Sequence, residues 1–207
     1  MVVRQETRPP GDASPQPEVF RAAAASLLAA RLRPEVSVEP MPAPQRIAPY
    51  ATALSADVEV DDEELATGRI ILLHDPHGND AWGGTFRFVS YVRAEVDPSL
   101  ASDAMLGAVG WSWLTDALGA HEATHSALSG TVTRVSVENF GVMSDEEPSA
   151  QVEIRASWTP EVDAEATAAD LRDHVEAWGE LLCTAVGLEP LPEGVAMIAQ
   201  RRGQRGS

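Results

Sequence analysis

The sequence predicts an α+β fold: one antiparallel sheet of four to six strands with three main helices, in the order α-β-β-β-α-β-β-α. Three patterns lead there. Apolar residues recur at helical spacing in three separate stretches, around 20–28, 106–118 and 171–186. Between them, apolar and polar residues alternate with period two, most clearly at 86–96, 133–137 and 151–158. Turn-forming residues separate the alternating runs, and short connections join strands into antiparallel hairpins.

The elements follow in order. Residues 1–16 are polar and rich in proline and glycine, and read as a disordered tail before a single domain over 17–198. Pro17 suits a first helical turn, and Phe20, Ala23, Ala24, Leu27 and Leu28 form an apolar stripe reaching to about Arg33. Pro34, Pro40, Pro42, Pro44 and Pro49 exclude a helix from the next segment. There Val36-Ser37-Val38 reads as a short edge strand, and the rest as an extended stretch lying on the domain. Strands are expected at 54–60 and 69–74, with a turn at 75–80 built from Asp75, Pro76, His77, Gly78, Asn79 and Asp80. On the long strand that follows, Phe86, Phe88, Ser90, Val92, Ala94 and Val96 share one face. Arg87, Tyr91, Arg93 and Glu95 share the other, with Val89 among them.

Asp97-Pro98 reads as an N-cap with proline at the first position, opening one helix that Gly119 stops. Leu106, Val109, Trp113 and Ala117 form one of its stripes, and Trp111, Leu114 and Leu118 an adjacent one, so it should be well buried. Thr133, Val135 and Val137 alternate with Arg134, Ser136 and Glu138. Val152, Ile154, Ala156 and Trp158 alternate with Gln151, Glu153, Arg155 and Ser157. Those polar faces carry both signs, which suggests cross-strand ion pairs. Residues 141–148 form the loop between the two strands. Leu171, Val175, Trp178, Leu182 and Val186 define the last helix, Gly187 ends it, and 188–198 packs back as coil. Residues 199–207, with Arg201, Arg202 and Arg205, read as a disordered basic tail.

Composition narrows the function. A formal charge of −17 opposes general affinity for nucleic acid or an anionic membrane, since both need a basic field. The single cysteine, Cys183, sits among Leu181, Leu182 and Ala185 and reads as a core residue. No apolar run reaches the roughly 18 residues of a membrane span. Glu6, Pro9, Pro10 and Asp12 stand where a signal peptide would be apolar. A soluble cytoplasmic protein is expected.

One motif spells out a chemistry. His121-Glu122-Ala123-Thr124-His125 fits the His-Glu-x-x-His pattern of zinc hydrolases, in which two imidazoles on one helical face hold the metal and the glutamate activates its water. Several features oppose that reading. Ala123 stands where a large apolar residue normally follows the glutamate, Thr131 replaces a third histidine, and the motif follows the helix stop at Gly119. Glu138, the available downstream acid, lies on an expected strand. A second cluster, His74, Asp75, His77 and Asp80, has metal-ligand chemistry that turn formation also explains. Trp82, beside Gly83 and Gly84, is the one tryptophan off the expected core faces and a candidate partner anchor. No phosphate loop, dinucleotide fingerprint or nucleophile elbow occurs.

Several strings resemble an actinobacterial family, domain of unknown function 3000. They are PAPQRIAPYA at 42–51, LLHDPHGNDAWGGTFRFVSYVRAE at 72–95, VGWSWLTDAL at 109–118, GTVTRVSVENFG at 130–141, EIRASWTP at 153–160 and LLCTAVGLEPLP at 181–192. The resemblance covers about 18–198. It implies cytoplasmic placement and an activity that is not assigned, and it carries over no catalytic residue. The resemblance also implies gene neighbours, a ribonuclease D-like exonuclease and a haem-biosynthesis decarboxylase, and the latter adds binding of a small ligand such as a tetrapyrrole as an alternative. The element order is also similar to that of small acidic secretion-chaperone-like domains, which dimerise and bind polypeptides; this is analogy at the level of fold.

A non-enzymatic protein-binding or adaptor module is expected, with a homodimer as its expected assembly. It needs no cofactor, and its candidate surface residues are Trp82, Arg46, Asp75 and His77. The competing reading is a zinc hydrolase with His121 and His125 as ligands and Glu122 as base.

Overall fold

In the computed structural model, which describes residues 16–163 and 168–189, six strands form one antiparallel sheet. Helix α1 (Glu18–Leu28) precedes β1 (Val36–Met41), β2 (Tyr50–Val60), β3 (Glu63–Asn79) and β4 (Gly84–Val96). The one-turn α2 (Pro98–Ala101) and α3 (Leu106–Ala120) follow, then β5 (His125–Val137), β6 (Ser149–Pro160) and α4 (Arg172–Ala185). The strand order is β1-β2-β3-β4-β6-β5, so β1 and β5 are the edges. The α+β class, the antiparallel sheet and the three longer helices agree with the sequence; the four strands before the central helices lie where strands were read at 36–38, 54–60, 69–74 and 86–96, one more than the order α-β-β-β-α-β-β-α counts. The N-terminal tail before residue 16, most of the expected coil at 188–198 and the basic tail at 199–207 lie outside the described residues.

The helices pack on one face. Along β4, Phe86, Phe88, Ser90, Val92 and Ala94 point toward them, and all are buried. From β6 the same face receives Val152, Ile154, Ala156 and Trp158. The amphipathic pattern of α4 buries Val175, Trp178, Leu181 and Leu182 against this surface while Arg172 and Asp173 stay outside. Burying each such large side chain contributes about 2–3 kcal/mol. Gly68 on β3 makes room for α4: a Cβ there would lie 2.7 Å from the Trp178 ring. Gly130 on β5 does the same for Trp111 of α3, at 2.7 Å.

Four boundaries differ from the sequence reading, each for a local reason. Helix α1 stops at Leu28 rather than near Arg33. The chain turns there toward β1, and the Arg31 amide donates to Glu176 Oε1 at 2.8 Å, tying the exit to α4. Residues 75–79, expected as a turn, belong to β3 and are absorbed by a register shift between His74 and Asn79. The turn itself uses Gly83 at φ 70°, with the Trp82 and Gly83 amides donating to the Asn79 carbonyl. The single helix expected from Pro98 breaks into two. Asp97 caps α2 as foreseen, but Asp103 accepts from the Met105 amide at 2.8 Å, a side-chain bond that competes with helix continuation. Strand β5 starts at His125, inside what read as helix end and linker. A bulge between Ser126 and Ser129, with Ala127 at φ 50°, sets its register. That register turns Gly130, Val132 and Arg134 toward the helices. Thr131, Thr133 and Val135 face the opposite side with Arg155, Glu153 and Gln151.

Candidate functional site

Among the described residues, no helix packs on the second face of the sheet. Cross-strand register reads its composition directly. One row runs Met41, Ala53, Ile71, Val89, Ser157, Ser129. The next runs Glu39, Ser55, Arg69, Tyr91, Arg155, Thr131, and the third Ser37, Asp57, Thr67, Arg93, Glu153, Thr133. The centre of this face holds a solvent-open hollow of about 690 Å³. Its floor is Ile71, Val89 and the Tyr91 ring. Its charged walls are Arg69, Arg93 and Arg155, and the hydroxyls of Thr67, Ser129, Thr131 and Ser157 edge it.

The arginines differ in their ties. Arg155 lies 5.3 Å from the Tyr91 ring centroid, a cation–π distance, and 3.0 Å from Glu153 Oε2. The Tyr91 hydroxyl donates to Glu153 Oε1 at 3.2 Å, and burial, with that bond and the Glu153 charge, raises its pKa. The Arg93 Nε donates to Gln151 Oε1 at 2.9 Å. Arg69 has no side-chain partner among the described residues. The expected cross-strand ion pairs are therefore not the pattern here: among the described residues the ion pair on this face runs along β6, from Arg155 to Glu153, and the side-chain bonds from β4 to β6 are Tyr91 to Glu153 and Arg93 to Gln151.

Arg87, in the row beyond Val89, is 8% exposed. Its guanidinium donates to Ala127 O and Thr159 Oγ1, both at 3.0 Å, and to Ser157 O at 3.2 Å and Ser157 Oγ at 2.7 Å. These acceptors are all neutral, and burial lowers its pKa. The side chain stitches β4 to β6 and to the β5 bulge. Its charge meets no acidic partner among the described residues.

The chain holds 32 acidic residues and 15 basic ones, every one of the latter an arginine. Against that background the lining of this hollow holds three arginines and no acid, while Glu39, Asp57 and Glu153 stand in the same cross-strand rows and Glu153 pairs with Arg155. Guanidinium is planar and binds carboxylate with two parallel hydrogen bonds, and the apolar floor takes an aliphatic or aromatic side chain. The arrangement suits recognition of a carboxylate-bearing, partly apolar group.

The residues singled out from sequence lie elsewhere. Arg46, exposed and at φ 72°, sits in the β1–β2 connection. Asp75 and His77 lie near the far end of β3, where Asp75 Oδ1 accepts from the His77 amide at 3.0 Å and lies 3.6 Å from the His77 ring. Trp82 is half-buried in the β3–β4 turn, and its carbonyl accepts from Thr159 Oγ1 at 2.6 Å. All four lie toward one end of the sheet, and Asp75 and His77 are in contact. His74 stacks 4.2 Å from the Phe86 ring under α1; its Nδ1 donates to Thr85 O, and burial lowers its pKa.

The His-Glu-x-x-His stretch does not lie on one helical face. His121 is the C-cap of α3, Glu122 adopts φ 51°, and His125 already opens β5. His121 Nδ1 stands 3.8 Å from Glu176 Oε2, and His125 Nδ1 donates to Ala123 O at 2.7 Å. The spacing on which the zinc reading rested is therefore absent. Among the described residues, no three of His, Cys, Asp and Glu are grouped to hold a metal ion. Nearby His174 is a core group. Its Nδ1 accepts from Trp158 Nε1 at 3.1 Å, and burial, with the charge of His125, lowers its pKa to about 4. Cys183 is buried, and its thiol is pushed up to about 12 by that burial.

From sequence, Arg87, Tyr91, Arg93 and Arg155 stand only on the polar faces of strands and Arg69 only at the start of one, with no functional role given to any of them. The signal was present: Arg87, Tyr91 and Arg93 alternate on β4, and Arg155 alternates on β6. What was missing was the register that lays Arg155 beside Tyr91 and Arg69 beyond it.

No helix of the described residues is long and apolar enough to cross a membrane. A family model described as "Protein of unknown function (DUF3000)" matches residues 16–196, and the chain belongs to that family. No curated protein and no solved structure matches the chain.

Proposed function

We propose that this family member is a non-enzymatic protein-binding module of the cytoplasm whose working surface is the uncovered sheet face, and that it takes an acidic polypeptide segment carrying an apolar side chain. The observation that carries the reading is the arginine cluster: Arg69, Arg93 and Arg155 line an apolar hollow in a chain whose net charge is −17, and Arg69 has no side-chain partner among the described residues. The net negative charge of the chain disfavours acidic partners in general, so a segment of that kind is directed to where guanidinium groups cluster. Arg87 and the Tyr91–Glu153–Arg155 contacts hold the walls in place before binding, which lowers the ordering cost.

The test is fluorescence anisotropy of the full chain with two labelled synthetic peptides. One combines aspartate and glutamate with phenylalanine; in the other each acid is replaced by lysine. The acidic peptide saturates the protein and the basic one does not. Arg69→Glu combined with Arg155→Glu weakens the acidic peptide by about tenfold or more, the loss expected when a close charge pair turns repulsive. Equal binding of both peptides, or no response to the charge reversals, would remove the surface from consideration.

A further inference from the structure

The chain itself presents a segment of the kind this surface would take. The loop at 138–148, between β5 and β6, projects Phe140 at 77% exposure, Val142 at 104% and Met143 at 51%. Three exposed apolar side chains grouped on one short loop are of the kind that contact surfaces use. Directly after them come Asp145, Glu146 and Glu147, all exposed. The loop is held in shape. Met143 N donates to Phe140 O, Ser144 N to Gly141 O and Glu146 N to Met143 O, and Asn139 Nδ2 bridges back to the Glu146 and Glu147 carbonyls. Gly141 at φ 67° makes its tight turn. A preformed tip of apolar side chains followed by three acids is the complement of an apolar floor walled by three arginines.

We infer that the occupant of the sheet face is the 138–148 loop of a second copy of this chain. In that arrangement Phe140 or Val142 rests on Ile71, Val89 and Tyr91, and Asp145, Glu146 and Glu147 pair with Arg69, Arg93 and Arg155. The surface spans four strands, about 14 Å across, and its length from Ser157 to Glu153 is also about 14 Å, room for a single turn-shaped tip. Each copy carries one loop and one concavity, so a two-fold axis pairs both reciprocally and closes a dimer. The inference rests on the proposed role of this face and adds the identity of its occupant.

Sedimentation equilibrium of the full chain tests it. The wild-type chain sediments at twice its 22.1 kDa mass, and raising the salt concentration weakens the association. Phe140→Asp with Val142→Asp gives a monomer, and so does Arg69→Glu with Arg155→Glu. Adding Asp145→Arg, Glu146→Arg and Glu147→Arg to the second variant restores the dimer. A merely misfolded variant does not regain association through distant charges, and a cooperative thermal melt of each variant checks its fold. A monomeric wild type, a dimer indifferent to these changes, or no restoration by the charge swap overturns the inference. If the acidic peptide still binds in that case, the reading of the face survives; if the peptide also fails, both fall.

Discussion

His174 gives the fold a defined acid weakness. The ring is 4% exposed, packed 5.1 Å from the Phe88 ring, and uses Nδ1 to accept the Trp158 indole proton. Protonation of Nδ1 destroys that acceptor and puts a charge in the core. The folded pKa is about 4, below the ordinary histidine value near 6.5, so the unfolded chain binds the proton more readily. The stability this represents is intact above the unfolded value and is lost as the pH falls through the window down to the folded one. At about 1.36 kcal/mol per pK unit, the loss is about 2 kcal/mol at pH 5 and about 3 kcal/mol once pH 4 is passed. His74, lowered by its own burial, acts in the same direction, so a variant is needed to isolate His174. His174→Asn places an amide oxygen where Nδ1 accepts and does not titrate. Urea unfolding followed by tryptophan fluorescence at pH 7 and pH 5 should show the wild type losing about 2 kcal/mol more than the variant over that interval. Identical losses in the two proteins would refute the assignment of the acid sensitivity to this ring.

Two further outcomes follow from packing. A Cβ at Gly130 would lie 2.2 Å from the Arg155 carbonyl oxygen and 2.7 Å from Trp111, so Gly130→Ala should cost about 3 kcal/mol or more and lower the melting temperature; an unchanged melt would show that β5 can move off α3. Cys183, inaccessible and with its thiol pKa near 12, should react with an aromatic disulfide reagent only at the rate of unfolding, whereas an immediate stoichiometric reaction would mean that α4 opens readily.

The parts of the fold legible in sequence were those where one face is fully buried. On α4 the apolar period is uninterrupted from Leu171 to Val186. On β4 and β6 the alternation places every helix-facing residue correctly, because a one-residue slip would expose Phe88 and Trp158. Legibility failed where local side-chain bonds decide: Asp103 ends a helix whose apolar pattern continues, and Asp75 makes a turn-like bond inside a strand. It failed also on β5, an edge strand whose residues are mostly exposed, so its register is set by the bulge at Ala127 rather than by burial. The candidate site depends on just that register. Arginines on separate strands read as solvated from sequence, because their meeting is a property of the whole sheet.

The most direct test of the central claim observes the arginines themselves. With the chain labelled at arginine side-chain nitrogens, nuclear magnetic resonance resolves Nε–H signals, assigned by substituting each arginine in turn. On titration with the acidic, phenylalanine-containing peptide, the signals of Arg69, Arg93 and Arg155 should shift together and saturate together, while those of Arg21 and Arg172, away from the sheet face, stay in place. Shifts confined to other arginines, or none under conditions where the peptide binds, would contradict the assignment of the uncovered sheet face as the binding surface.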